Sequence, residues 1–151
     1  MKATEILKTD HQNLLKLIDQ LKTTAEGGER DAIALQRVYD SLIVHTRCEE
    51  QIFYPAMRSI DEGEVQTSIE AHQEIDDLLE ELVAIRIQKG IDLFLNLLNQ
   101  LEQKTRSHIQ EEEARLIPEA EDRLKGKLEE LGNQIEWLKV DLRTTQFGMA
   151  A

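Results

Sequence analysis

HTRCEEQIFYP, residues 45–55, lies in a segment with a helical stripe. Leu35, Val38, Leu42, His45, Glu49, Ile52 and Ala56 are spaced alternately by three and four residues, the signature of the buried face of an amphipathic helix. Two of these stripe positions hold an imidazole and a carboxylate. An ionised carboxylate in a core is costly unless it is paired or holds a metal, so the polar positions need a reason.

The same pattern recurs at 108–118, HIQEEEARLIP. His45, Glu49, Glu50 and Pro55 align with His108, Glu112, Glu113 and Pro118. The two remaining histidines obey the repeat: His11 precedes His45 by 34 residues and His72 precedes His108 by 36, and each is followed by Gln. The chain reads as two helix pairs, each with one His on its first helix and one HxxxE on its second, an internal repeat with pseudo-two-fold character.

Composition supports an all-α fold: two prolines, seven glycines, few aromatics and no alternating strand pattern. The reading predicts helices over about residues 3–25, 30–60 (with Pro55 kinking or breaking its last turns), from after Gly63 to about 88, and from after Gly90 to about 124, the last with Pro118 inside it. Gly27-Gly28, Asp61-Glu62-Gly63 and Lys89-Gly90 mark the breaks. Short polar connections favour an antiparallel up-down-up-down four-helix bundle over residues 1–125. A further stripe, Leu124, Leu128, Leu131, Ile135, Leu138 and Leu142, predicts an additional C-terminal helix at 126–143 that docks on the bundle or forms a homodimer seam; residues 144–151 read as a tail. Gly132 weakens that helix modestly.

Charge excludes some functions. Eighteen Lys plus Arg against thirty Asp plus Glu give −12, which argues against a nucleic-acid or anionic-membrane partner. The single cysteine, Cys48, rules out a disulfide framework and reads as a packing thiol. The N-terminus lacks a signal-peptide core, and no run approaches the ~18 apolar residues of a membrane span; a cytoplasmic location is expected.

Every histidine falls on a core stripe. His11 shares a face with Leu7, Leu14 and Ile18, His72 with Val65, Ile75 and Leu79, and His108 and Glu112 with Leu101 and Leu116. Residues i and i+4 are about 40° apart around a helix and one turn apart in height, so His11, His45, Glu49, His72, His108 and Glu112 converge on one interior level. Nitrogen and oxygen donors without thiolate suit Fe, Mn or Zn. Six side chains overfill a tetrahedral zinc site and suit two ions bridged by Glu49 and Glu112. His11 and His45 would cap one ion and His72 and His108 the other, unless the pairing crosses between the halves. Glu50 and Glu113 read as solvated carboxylates or as partners that orient a ligand, Tyr54 as a wall residue, and Asp76 as an extra ligand or an orienting group. With all four histidines used as ligands, no nucleophilic triad and no catalytic side chain is assigned.

This arrangement resembles the hemerythrin-like, HHE cation-binding family over about residues 5–125, in the order His11, His45-x-x-x-Glu49, His72, His108-x-x-x-Glu112, with Tyr54-Pro55 also similar. The resemblance implies a non-heme diiron centre, two Fe ions with an oxo or hydroxo bridge, for which Mn or Zn could substitute. The oxygen carriers of that family place a further histidine where this chain has Asp76, and an Asp at a longer spacing where it has Glu112. Coordination with one imidazole fewer favours binding of, or reaction with, a small oxidant (oxygen, peroxide or nitric oxide) over simple oxygen carriage. The alternative is an iron- or oxygen-sensing module without turnover.

Overall fold

The computed structural model describes residues 1–29, 31–85 and 90–145. Helix α1 (Ala3–Glu26) begins where the Glu5 carboxylate accepts the Lys2 backbone N–H at 2.9 Å, an anion placed at the positive end of the helix. It ends in a two-bond cap: the N–H of Gly28 reaches Ala25 O and that of Glu29 reaches Thr24 O, both at 3.0 Å. Gly28 has φ 85°, a conformation that favours glycine. Helix α2 (Ala32–Cys48) is capped by Asp31, whose Oδ1 accepts from the N–H groups of Ile33 and Ala34 at 3.0 Å.

The quoted stretch then departs from a regular helix. Residues Glu49–Phe53 form a π turn in which Tyr54 N–H bonds Glu49 O. Pro55 is the cause: it has no N–H, and its ring would strike the carbonyl of Gln51 in an ordinary α-helix. The extra residue shifts the stripe. Ile52 and Ala56, expected in the core, are only partly buried, whereas Phe53, Tyr54 and Met57 are buried.

Helix α3 (Tyr54–Ile85) continues through one non-helical residue, Asp61 (φ −152°, ψ 74°). Asp61 Oδ1 accepts the Glu64 N–H at 3.2 Å, so the expected three-residue break is a single residue acting as a cap for the rest of α3. The expected end of this helix near residue 88 and the tail from 146 onward lie outside the described residues. Helix α4 (Ile91–Ala114) is shorter than predicted. It stops at Arg115 (φ −124°, ψ −72°), and α5 (Leu116–Arg123) follows. Pro118 is the third residue of α5, where a helix needs no intrahelical N–H donor; inside a continuous helix it would collide with Ala114 O. Arg115 closes the break, with guanidinium contacts to Asp61 (3.3 Å) and Glu64 (3.1 Å). Helix α6 (Leu128–Thr145) is the last element among the described residues. No strand occurs among the described residues, and none of their helices is long and apolar enough to cross a membrane.

α1 packs on α2 and α4, and α3 on α4, giving the four-helix bundle. α6 lies across α1, α2 and the π turn, burying Leu128, Ile135 and Leu142. The apolar core is split in two. One cluster includes Leu7, Val44, Phe53, Met57, Val65, Leu116 and Ile135. The other includes Leu14, Ile18, Leu42, Ile75, Leu79, Leu98 and Leu101. His11, His45 and His72 each sit on their helix between residues of the two clusters, and His108 lies between Leu101 of one and Leu116, on the next helix, of the other. Buried aliphatic side chains contribute roughly 1.5–3 kcal/mol each, and these two clusters hold a polar layer between them that could not form alone.

Candidate metal centre

The polar layer collects the six residues singled out by the stripes. His11 comes from α1, His45 from α2, Glu49 from the first residue of the π turn, His72 from α3, and His108 and Glu112 from α4. All are buried; both glutamates are 0% exposed. Glu49 lies at the centre. Its Oε1 is 3.2 Å from His45 Nε2, 3.0 Å from His72 Nε2 and 3.9 Å from His108 Nε2, and its Oε2 is 3.9 Å from His11 Nε2. Glu112 Oε1 is 3.2 Å from His11 Nε2 and its Oε2 is 3.5 Å from His108 Nε2.

Two donor groups result. His11, His45, Glu49 and Glu112 form one, and Glu49, His72, His108 and Glu112 form the other, with the donor atoms of each within 4.8 Å of one another. The histidines pair within each half of the repeat, His11 edge-on to His45 and His72 edge-on to His108. Both carboxylates belong to both groups. Several of these atoms are buried without a hydrogen-bond partner: Nε2 of His11 and of His45, Oε2 of Glu49 and Oε1 of Glu112. Buried polar atoms left unsatisfied are costly, and here they face one another. A bound cation satisfies them all, so the residues fit a metal centre.

Residues 2–120 match the family described as hemerythrin HHE cation-binding domain. The chain belongs to that family. A curated relative of the HHE domain is a DNA nickase of Nostoc sp. (strain PCC 7120), 25% identical over 118 residues, which are 78% of this chain and 33% of that protein. The chain thus spans about a third of the length of the curated relative that it matches. No solved structure matches it.

Around the donors, the HHE domain carries a second set of polar groups. His45 Nδ1 donates to Asp10 Oδ2 at 3.1 Å, and His11 Nδ1 donates to Glu113 Oε2 at 2.6 Å. A carboxylate can only accept; these bonds fix the tautomer and turn each Nε2 lone pair inward. Glu50 Oε2 is 3.7 Å from His72 Nδ1. Tyr54 does more than form a wall: its hydroxyl donates to Glu112 Oε2 at 2.6 Å and lies 3.1 Å from His72 Nε2. Asp76 is half-buried and belongs to neither donor group.

The sequence repeat gave no hint of Asp10, whose counterpart before His72 is Ala71. Its partner is 35 residues away, and nothing local marks that contact.

Electrostatics follow from crowding in a dry layer. Burial opposes protonation of His11, but the carboxylates of Glu112 and Glu49 raise it to about 11. Burial is likewise outweighed at His72, where Glu49 and Glu50 raise it to about 10. His45 is raised against its burial by Glu49 and Asp10. The two glutamates split. Burial opposes charge on Glu49, yet the His45 charge and hydrogen bonds hold it well below the carboxylate range, whereas burial and then the Glu49 charge push Glu112 up. Without a cation, His11, His45 and His72 hold protons in place of the metal. Cys48 stays a packing thiol: it is fully buried, and burial pushes it up to about 12.

Proposed function

We propose that this HHE domain holds two iron ions in the polar layer, with manganese or zinc as possible substitutes, and binds or reacts with a small oxidant such as oxygen, peroxide or nitric oxide. The observation that carries this reading is the sharing of Glu49 and Glu112 between two four-donor groups. A single-ion site would not need both carboxylates in both groups.

His11 and His45 would hold one ion, and His72 and His108 the other, with Glu49 and Glu112 spanning both. Iron there supplies exchangeable coordination positions and electrons for a small oxidant. The chain's own groups prepare the site. Asp10 and Glu113 keep the Nδ1 protons of His45 and His11 outside, so that Nε2 faces the ions. The Tyr54 hydroxyl holds a proton 2.6 Å from Glu112 Oε2, where it can be lent to a ligand bound beside that carboxylate. Leu7 and Leu14, buried one turn to either side of His11 on α1, exclude water and competing reactions.

The name of the Nostoc relative describes a protein about three times the length matched here. A charge of −12 gives little basic surface for phosphates, and we infer no nucleic-acid partner for this chain.

The test is metal content per chain after production with added iron, with visible spectra recorded in air and after reduction. Two irons per chain, near-ultraviolet charge-transfer bands that bleach on reduction, and loss of added peroxide or nitric oxide are expected. Metal-dependent ordering without consumption of either oxidant would favour the sensing module. No metal, or a single zinc, would overturn the reading.

A further inference from the structure

Helix α6 lies beyond the family match, which ends at residue 120, yet it reaches the polar layer. Lys139 Nζ lies 2.5 Å from Asp10 Oδ1, and the other oxygen of Asp10 accepts from His45 Nδ1 at 3.1 Å. His45 Nε2 in turn faces Glu49 Oε1 at 3.2 Å. The side chains of Lys139 and Asp10 are each 15% exposed, so water and salt screen the pair weakly. A lysine on α6, an aspartate on α1 and a histidine on α2 thus form one continuous line into the donor group of His11 and His45.

Among the described residues, the other half of the repeat lacks this device. Ala71 stands where the first half has Asp10, so that position offers no carboxylate to His108, the counterpart of His45; Glu50, 3.7 Å from His72 Nδ1, is the counterpart of Glu113 beside His11. The two donor groups are alike in their ligands and unlike in their support.

α6 is held in place independently of Lys139. Gly132 is packed so closely on the start of α1 that an added Cβ would lie 2.0 Å from Met1 O. Ile135 and Leu142 are buried on either side of Lys139 along the helix. The ammonium can therefore be removed without undocking α6.

We propose that Lys139 is a positioning residue for one of the two ions: by pinning the Asp10 carboxylate, it fixes the His45 ring and makes α6 a clamp on the His11–His45 site alone. This rests on the two-ion reading. Metal ligands whose outer partners are removed lose roughly 10–100-fold in affinity, and here that loss falls on one ion of the pair.

The experiment titrates metal-free, full-length protein with ferrous iron in the absence of oxygen, for wild type, Lys139→Met, Lys139→Arg and Asp10→Asn, with the melting temperature of each metal-free form. The expected wild type binds two ions. In Lys139→Met one ion weakens at least about tenfold while the other keeps its affinity, Asp10→Asn does the same, and Lys139→Arg restores wild-type behaviour. Unchanged affinities for both ions in Lys139→Met would overturn the proposal. So would equal weakening of both with a lowered metal-free melting temperature, since that marks a merely structural role. A wild type that binds no ion, or only one, overturns the two-ion reading and this inference with it, and that result is visible before any variant is compared.

Discussion

Tyr54 and Glu112 are joined across the bundle by a 2.6 Å hydrogen bond from the phenol to Oε2, which ties the end of the π turn to the last full turn of α4. The π turn makes this possible. By adding a residue before Pro55, it brings Tyr54 and Glu49 to the same interior level, although they are five residues apart. Burial, and then the charges of Glu49 and Glu112, hold the Tyr54 hydroxyl well above its ordinary range, so it remains a proton donor.

Tyr54→Phe removes that donor while keeping the ring. The metal-free protein should lose on the order of 1–3 kcal/mol, the cost of leaving a buried acceptor unpaired, measured by urea denaturation. Metal content should stay at the wild-type level, because the hydroxyl belongs to neither donor group. Consumption of peroxide or nitric oxide should slow. Loss of metal in this variant would instead make the phenol a ligand.

Glu49 is shared by both donor groups, whereas each histidine belongs to one. Glu49→Gln should therefore deplete both ions, and His108→Ala only the one beside His72. Metal analysis per chain distinguishes the two, with circular dichroism checking that the bundle persists. A Glu49→Gln protein that keeps a full complement would remove the carboxylate from its bridging role.

The pH dependence has a definite sign. His11 and His72 are raised from 6.5 to about 11 and about 10 in the metal-free fold, so above pH 6.5 the folded state binds more protons than the unfolded one. Their stabilisation is complete below about 6.5 and is lost as pH rises through about 10 to 11. The melting temperature of metal-free protein should fall across that alkaline window. Metal-loaded protein should change far less, since its imidazoles are bound without those protons. Metal uptake at about pH 7.5 should release protons, which calorimetry in buffers of different ionisation enthalpy would register.

At Gly132 helix propensity and packing disagree. Alanine is favoured by about 1 kcal/mol in a helix interior, and from the sequence the glycine reads as a small weakness. The Cβ would nevertheless meet Met1 O at 2.0 Å and Ala3 N at 3.0 Å. Displacing α6 or the start of α1 costs typically 1–3 kcal/mol, so Gly132→Ala should lower the melting temperature rather than raise it. A rise would mean that residues 1–3 yield without cost.

Much of this protein was legible in its residues because helical periodicity is local. The spacing of three and four placed His11, His45, Glu49, His72, His108 and Glu112 on buried faces, and the repeat brought them to one level. Where local rules met proline, the sequence indicated a disturbance without its form. Pro55 produced a π turn that moved the stripe from Ile52 to Phe53 and Tyr54, and Pro118 ended α4 at Arg115 instead of lying within a longer helix.

By itself the sequence determined the helical bundle, its polar layer and the donor atoms within it, since these depend on residues a few positions apart on one helix. The tertiary structure decided that the histidines pair within each half, and that Asp10, Glu113 and Lys139 reach the layer. Those contacts join residues 35, 102 and 129 positions apart. They depend on which helices become neighbours and on the rotamers that packing allows, and no periodicity along a single helix encodes either.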